Sequence, residues 1–247
     1  MRRRTLLALL AGSVCVPALA ANHGLIEPGL QIATGGKTAP RVALTLDACM
    51  GGVDHRILDV LVRERIPATL FVTGRWLSAN AEALKTLLAH PDLFELENHG
   101  AMHVPAVLGN RRVYGIRPAG TLSAIRAEVS GGARAMAQAG TAPPVWYRDA
   151  TALYSPDALK LISGMGYRVA GFSLNADFGA SLPADRVAAR IGAAKDGDVI
   201  IAHINQPHRA SGAGVAAGIL TLQARGFAFV RLGDVSEPDA IGPVQLL

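Results

Sequence analysis

The strongest constraint on the fold of this chain is a repeated alternation between short apolar runs and segments with helical spacing. The apolar runs have the length of buried strands, and the segments between them carry apolar residues at helical intervals. We predict strands at 42–47, 68–74, 93–96, 145–148, 167–173, 198–203 and 227–231. We predict helices at 54–61, 79–90, 122–139 and 213–225, with two more beginning near residues 155 and 181. This alternation predicts consecutive parallel βα units.

The predicted strands are apolar along nearly their whole length, as expected for parallel strands that are covered on both faces. An open doubly wound sheet and a closed or nearly closed barrel both satisfy this pattern. We favour the barrel because polar residues follow several different strands at their C-terminal ends, where barrel enzymes gather their active sites. No glycine-rich phosphate-binding motif follows the first strand, which argues against a nucleotide-binding domain.

The N-terminus has the pattern of an export signal. Three arginines precede an apolar stretch at 5–16, and a small-x-small pattern at 18–20 provides a cleavage site after Ala20 or Ala21. We therefore expect a signal peptide at 1–21, a lead-in at 22–40 and a single catalytic domain at 41–247. The mature protein would be periplasmic or secreted, by either the general secretory or the twin-arginine route. No later apolar stretch is long enough to form a stable membrane span.

Charge and cysteine content narrow the function classes. The chain has 24 basic and 19 acidic residues, and three of the arginines lie in the predicted signal, which leaves a mature net charge of +2. That balance predicts no binding to nucleic acid or to an anionic membrane. Cys49 is the only cysteine outside the predicted signal, so an internal disulfide is excluded.

Asp47 and a pair of histidines are the first groups with catalytic potential. Asp47 ends the first predicted strand, although an aspartate before glycines often only opens a turn. His99 and His103 are four residues apart, which would place both on one side of a helical turn. Two imidazoles in that arrangement can bind one divalent ion, and nitrogen ligands suit zinc. Two unrelated surface histidines would show the same spacing.

Further polar residues follow later strands. His203 can act as a general acid, because imidazole exchanges protons near neutral pH, or it can be a core histidine bonded to a carbonyl. Asp177 can hold such a histidine in its charged form or can open a turn. Arg148 can keep Asp47 ionised or can form a surface ion pair with Asp149. Residues that are scattered in sequence but delivered to one rim of a barrel form an active site.

These residues give the chain a resemblance to the polysaccharide deacetylases of carbohydrate esterase family 4, over about residues 41–232. The first two motifs of that family are Thr-Phe-Asp-Asp-Gly and His-x-x-x-His, and the later three are Arg-x-Pro-Tyr, Asp-Trp and Leu-x-His. The corresponding positions here are 45–49, 99–103, Arg148, Asp177-Phe178 and 201–203, with a further matching segment at 67–74.

The resemblance implies a deformed (β/α) barrel that removes an N-acetyl group from an amino sugar. In that scheme a divalent metal, with zinc as the expected ion, polarises the acetyl carbonyl and a water molecule. One residue then takes a proton from the water, and another protonates the departing amine. By resemblance, the metal ligands are His99 and His103, the base is Asp47, the acid is His203, and Arg148 and Asp177 tune the base and the acid.

One departure from the family pattern concerns the metal. Ala48 stands where the family has its third metal ligand, and alanine cannot bind a metal. Either water alone completes the site, or Asp54, His55 or Cys49 does, or the metal is absent. We take Asp54 as the expected third ligand, although its position also fits a helix N-cap. Phe178 in place of tryptophan, and the loss of proline after Arg148, predict a differently shaped sugar groove.

The predicted function is hydrolysis of linear amides by an N-acetyl deacetylase whose substrate is an acetylated polysaccharide or oligosaccharide. A glycan-binding protein without catalysis on the same fold is an alternative, because of Ala48 and the incomplete third motif. An esterase that removes O-acetyl groups from xylan would use the same chemistry. Retention of both Asp47 and His203 favours an enzyme over a binding protein.

Overall fold

The structure is a computed structural model that describes residues 24–235 together with the backbone of residues 245–246. The predicted signal peptide at 1–21 lies outside the described residues. None of the described helices is long and apolar enough to cross a membrane.

Most of the apolar runs form strands of one parallel sheet, and the segments between them form helices. The strands are β1 (Ile26–Glu27), β2 (Arg41–Ala48), β3 (Ala68–Val72), β4 (Phe94–Asn98), β5 (Trp146–Tyr147), β6 (Arg168–Val169), β7 (Leu174–Asn175), β8 (Val199–His203), β9 (Ala228–Val230) and β10 (Gln245–Leu246). The helices are α1 (His55–Arg63), α2 (Gly74–Ala79), α3 (Ala81–Leu88), α4 (Leu122–Gln138), α5 (Pro156–Gly164), α6 (Ala184–Gly192) and α7 (Ser211–Ala224), followed by a 3₁₀ turn at Leu232–Asp234.

The main sheet has the order β6-β5-β4-β3-β2-β8-β7, and β9 pairs with the first residues of β2. Every pairing in this sheet is parallel. The edge strands β6 and β7 are consecutive in the chain and are joined by only four residues, which span at most about 17 Å. The sheet therefore curls until its edges approach each other, and the predicted α/β fold with a deformed barrel of parallel strands is confirmed.

The prediction of one continuous strand at 167–173 is wrong, because this segment closes the barrel as a connection between the two edges. Gly171 lies so close to the lead-in that a Cβ there would be 2.1 Å from the carbonyl oxygen of Pro28. The carbonyls of Ala170 and Gly171 accept hydrogen bonds from the Arg148 side chain. These contacts replace the strand ladder that a continuous strand would make.

The helical region before β4 also differs from the prediction, because it contains two helices. Helix α2 begins at Gly74, where the Thr73 hydroxyl accepts a hydrogen bond from the Trp76 amide as an N-cap. The glycine was interpreted as the end of a strand, whereas it starts a helix. A side chain at Gly74 would collide with Ala135 of α4, so the glycine permits close packing of α2 on α4.

Alternation along the strands divides the core into two layers. On β2, Val42, Leu44 and Leu46 belong to the larger apolar cluster, which includes the helices α1, α6 and α7. Ala43 belongs to a second cluster with Phe71, Trp146 and the lead-in residues Leu30 and Ile32. Leu30 and Ile32 of the predicted lead-in therefore pack in the same layer as Ala43. Thr45 and Asp47 continue the inner face toward the C-terminal rim of the sheet.

Candidate active site

Asp47 lies at the C-terminal rim of the sheet and is paired with Arg148. Arg148 donates from Nη1 to Asp47 Oδ1 at 2.9 Å and to Thr45 Oγ1 at 2.9 Å. Burial alone would raise the pKa of Asp47, but the neighbouring cations, with the Arg148 guanidinium first and His99 and His203 after it, outweigh that effect and lower it. Asp47 is therefore a carboxylate at neutral pH.

Arg148 is itself fully buried, and hydrogen bonds and a ring contact fix its side chain. Its Nη2 donates to the carbonyl of Gly171 at 2.9 Å, and its guanidinium lies 4.3 Å from the centre of the Phe71 ring. The alternative of a surface ion pair between Arg148 and Asp149 is therefore wrong. Arg148 links the connection that closes the barrel to the carboxylate on the opposite strand.

His203 is the register partner of Asp47 on the adjacent strand β8. Its Nδ1 lies 2.9 Å from Asp177 Oδ1, and its backbone amide donates to Asp177 Oδ2 at 2.8 Å. Burial would lower the pKa of His203, but the ion pair and hydrogen bond with Asp177, together with the Cys49 thiolate, raise it well above its ordinary value. His203 therefore carries a proton at neutral pH.

The backbone holds His99 in one orientation. Its Nδ1 donates to the carbonyl of Arg148 at 2.8 Å, so Nε2 is directed to Asp47 Oδ2 at 3.8 Å and to Cys49 Sγ at 3.5 Å. Burial lowers the pKa of His99, but the charges of Asp47 and Cys49 outweigh it and raise the value to about 9. The same two negative groups that favour a proton at Nε2 would favour a metal cation there.

His103 is brought beside His99 by a loop, so the expectation that both lie on a helical turn is wrong. The ring centres are 5.1 Å apart. Gly100 and His103 both have positive φ, of 86° and 67°, and this conformation costs a non-glycine residue about 1–3 kcal/mol. Glu128 holds the loop by accepting from the amides of Met102 and Val104.

His103 is only 8% exposed, yet neither of its ring nitrogens has a hydrogen-bond partner among the described residues. Buried polar groups without partners are rare in folded proteins, and they point to a missing ion or water. One ligand atom each from Cys49, His99 and His103 lies within 4.8 Å of the other two. These residue types and this unsatisfied imidazole fit a divalent metal.

The structure does not bring Asp54 into this cluster. Its carboxylate accepts the Arg56 amide as the N-cap of α1 and pairs with the Arg56 guanidinium. It also lies against α7, where a Cβ on Gly212 would collide with its Oδ2. His55 is exposed and lies beside Asp59, so it does not reach the cluster either.

Asp149 is a buried residue of this region whose role the sequence did not indicate. Its carboxylate accepts from the amides of Ala106 at 2.7 Å and Thr151 at 2.9 Å, and burial raises its pKa to about 6. It therefore ties the loop after β4 to the end of β5. Its position directly after an apolar strand, beside Arg148, was the only signal in the sequence.

The sequence profile of polysaccharide deacetylases matches residues 34–170, which is more than half of the chain. The chain belongs to the polysaccharide deacetylase family. No curated protein matches the sequence.

Solved structures of family 4 carbohydrate esterases share the fold of this polysaccharide deacetylase domain. A family 4 pseudoenzyme from Bacillus anthracis has a TM-score of 0.63 at 18% identity, over 81% of this chain and 66% of that one. The peptidoglycan deacetylase PdaC from Bacillus subtilis has a TM-score of 0.63 at 22% identity, over 79% and 89%. A family 4 esterase from Streptomyces lividans, solved with acetate, has a TM-score of 0.61 at 19% identity, over 77% and 91%.

Proposed function

We propose that the protein removes N-acetyl groups from an amino-sugar glycan, with Asp47 as general base and His203 as general acid. The observation that carries this proposal is their placement as register partners on β2 and β8, each paired with a side chain of opposite charge. Arg148 lowers the pKa of Asp47, and Asp177 raises the pKa of His203. A base that is ionised and an acid that is protonated at the same pH are what amide hydrolysis requires.

The reaction follows from these states. Asp47 accepts a proton from the attacking water, and its bond to Arg148 keeps the carboxylate in place. His203 donates a proton to the departing nitrogen, because an amide releases a poor leaving group unless that nitrogen is protonated. Asp177 holds the imidazole by Nδ1 and therefore leaves Nε2 to carry the transferred proton.

His99 and His103 are the residues that would hold a metal. A divalent ion, which we propose to be zinc, would supply Lewis-acid polarisation of the acetyl carbonyl and of the water. The hydrogen bond from His99 Nδ1 to the Arg148 carbonyl sets the tautomer that leaves Nε2 free for a ligand role.

The substrate class and location are part of the proposal. Similar structures include a peptidoglycan deacetylase, which supports an N-acetylated glycan of the cell envelope as substrate. The cationic and apolar N-terminal sequence supports export by a signal peptide at 1–21, with the catalytic domain working in the periplasm or outside the cell.

Acetate release from three substrates tests the proposal: an N-acetylated chitin oligomer, peptidoglycan and acetylated xylan. We expect wild type to release acetate from one of the first two and not from xylan, whereas Asp47→Asn should release almost none. Asp59→Asn is the matched control, because Asp59 is an exposed carboxylate on α1. Release from xylan alone would favour the esterase, and equal activity of Asp47→Asn would remove the assigned base.

A glycan-binding protein without catalysis is the second candidate. It is favoured by Ala48 at the position of the family's third metal ligand and by the similarity to a family 4 pseudoenzyme. In that case wild type and Asp47→Asn would bind chitin oligomers equally and neither would release acetate. Calorimetric titration with the oligomer, beside the acetate assay, separates the two functions.

A further inference from the structure

The end of β2 directs Cys49 toward the two histidines and Ala48 away from them. Ala48 is fully buried in the larger apolar cluster, where its register partner Val72 also lies. Side chains alternate between the faces of a strand, so the residue after Ala48 returns to the face of Asp47. The Cys49 thiol accordingly lies 3.5 Å from His99 Nε2.

The spacing of these atoms matches a zinc centre. Bonds of about 2.3 Å to sulfur and about 2.0–2.1 Å to nitrogen, at a tetrahedral angle, place the two ligand atoms about 3.6 Å apart. The observed distance from Cys49 Sγ to His99 Nε2 is 3.5 Å. The third ligand atom, from the His103 ring, completes a group whose members all lie within 4.8 Å of one another.

The backbone around Cys49 is held in place before any ligand arrives. The Thr73 hydroxyl donates to the carbonyl of Cys49, and the Asn205 side chain donates to the carbonyl of Met50. His103 is buried in the same cluster, and neither of its ring nitrogens has a hydrogen-bond partner among the described residues. The Cys49 thiol, on a fixed backbone, and the His103 ring, which lacks a hydrogen-bond partner among the described residues, therefore lie in one cluster with His99.

We infer that Cys49 is the third protein ligand of a metal site with His99 and His103, so that the metal has two imidazole ligands and one thiolate. This inference deepens the proposed function and rests on it only for the use of the metal. Metal binding requires Cys49 as the thiolate and His99 Nε2 without a proton, so the proton that this pair holds leaves to solvent. A set of three protein ligands with an open fourth position is typical of catalytic zinc, and a thiolate disfavours Mg²⁺ and Mn²⁺.

This assignment leaves the other acidic groups free for their own roles. Asp54 is used by the N-cap of α1 and by Arg56, and Asp47 is held by Arg148. The thiolate therefore takes the place of the missing carboxylate ligand, and the base does not have to bind the metal.

Cobalt substitution tests the inference by a readout other than activity. The full mature chain is stripped of metal and titrated with Co²⁺, and the near-ultraviolet absorption from thiolate-to-cobalt charge transfer is recorded. We expect one Co²⁺ per chain with that absorption in wild type and in the control Asp54→Asn, and loss of the absorption in Cys49→Ser. Zinc affinity, measured by competition, should fall more than about 100-fold in Cys49→Ser, since losing even an outer-shell partner costs about 10- to 100-fold.

Each outcome is decisive. Cobalt bound to wild type without the charge-transfer absorption would overturn the inference. This test uses wild type alone, so it does not depend on whether a variant folds. Unchanged zinc affinity in Cys49→Ser, or loss of the absorption in Asp54→Asn, would also overturn it. A chain that binds cobalt through Cys49 but releases no acetate would sustain the inference and remove the proposed function. Acetate release by a wild-type chain that binds no cobalt would overturn the inference and sustain the proposed activity.

Discussion

The two halves of the site differ in how their side chains are satisfied. In the acid–base half, Asp47 is paired with Arg148, and His203 is paired with Asp177. In the other half, the metal-ligand cluster of Cys49, His99 and His103, one imidazole has no hydrogen-bond partner among the described residues.

This difference shows in which half of the site the protein's own residues provide partners for the buried polar groups. The acid–base half has its charges balanced by residues of the protein, so its geometry is fixed in the free enzyme. The metal-ligand cluster contains a buried ring nitrogen whose desolvation is not compensated, and such a group costs about 1–3 kcal/mol. A cation bound there, as proposed, would offset that cost. Mutations in the acid–base half should therefore leave the metal content unchanged, whereas mutations in the metal-ligand cluster should lower it.

Loss of the general acid should give the largest effect. We expect His203→Asn to lower kcat for N-acetyl release by about 10²- to 10⁴-fold, because proton donation to the leaving nitrogen is removed. The metal content of the purified variant should equal that of wild type, since His203 belongs to the acid–base half. Acetate release and metal analysis on the same sample check both statements. A variant that keeps full activity would show that another group donates the proton.

Replacement of Asp177, the partner of His203, should change the pH dependence of kcat. It should lower kcat less than His203→Asn does. With His203 as the proposed general acid, activity should be lost as pH rises through the pKa of His203. Because Asp177 raises that pKa, Asp177→Asn should move the alkaline limb of the kcat profile to lower pH. Asp185→Asn, a change in the first turn of α6, is the control and should leave the limb in place. An unshifted limb in Asp177→Asn would separate Asp177 from the acid.

The sequence predicted the acid–base half better than the metal-ligand cluster, for a physical reason. Asp47 and His203 end long apolar strands, and in a barrel parallel strands end at one rim, so their meeting follows from the fold class alone. The partnership of Arg148 with Asp47 was also predictable, because both residues belong to strand ends. What the strand pattern could not show is that Arg148 would bind the carbonyls of Ala170 and Gly171, which replace a strand in closing the barrel.

The metal-ligand cluster depends on features that periodicity does not contain. His99 and His103 meet through positive φ angles in a loop, and the helical spacing that suggested their meeting is not what produces it. The direction of Cys49 depends on strand alternation continuing one residue past the end of β2. Asp54 was expected here because of its charge, whereas the local signal of an N-cap before α1 was the stronger one.

The unsatisfied imidazole offers the clearest contrast in stability. His103→Ala should leave the metal-free protein at least as stable as wild type, because it removes a buried imidazole without a hydrogen-bond partner among the described residues, while the backbone strain at this position is the same in both proteins. Wild type should gain about 2.7 kcal/mol in zinc at 100 times its Kd, and the variant should gain none at that concentration. Denaturant unfolding with chelator and with zinc measures both. Destabilisation of the metal-free variant by several kcal/mol would mean that the ring has a structural role.

Glu97 is a buried carboxyl group whose hydrogen-bond donors are backbone amides, and its titration shows whether such donors alone keep a buried carboxylate charged. Its carboxylate accepts from the amides of Val145 and Trp146, yet burial raises its pKa from 4.5 to about 8. Between those pH values the native state holds a proton that the unfolded chain has lost, so stability should fall as pH rises, by at most about 1.4 kcal/mol per pH unit. Above about pH 8 the loss is complete and the slope vanishes.

Replacement of this carboxyl by an amide should remove that slope, since glutamine cannot titrate. Unfolding free energies of wild type, Glu97→Gln and the exposed control Glu82→Gln across this pH range provide the measurement. We expect Glu97→Gln to be flatter than wild type and Glu82→Gln to follow wild type. Equal slopes in all three proteins would mean that Glu97 is ionised in the native state, as Asp47 is. Two amide donors would then hold a buried charge as well as the guanidinium of Arg148 does.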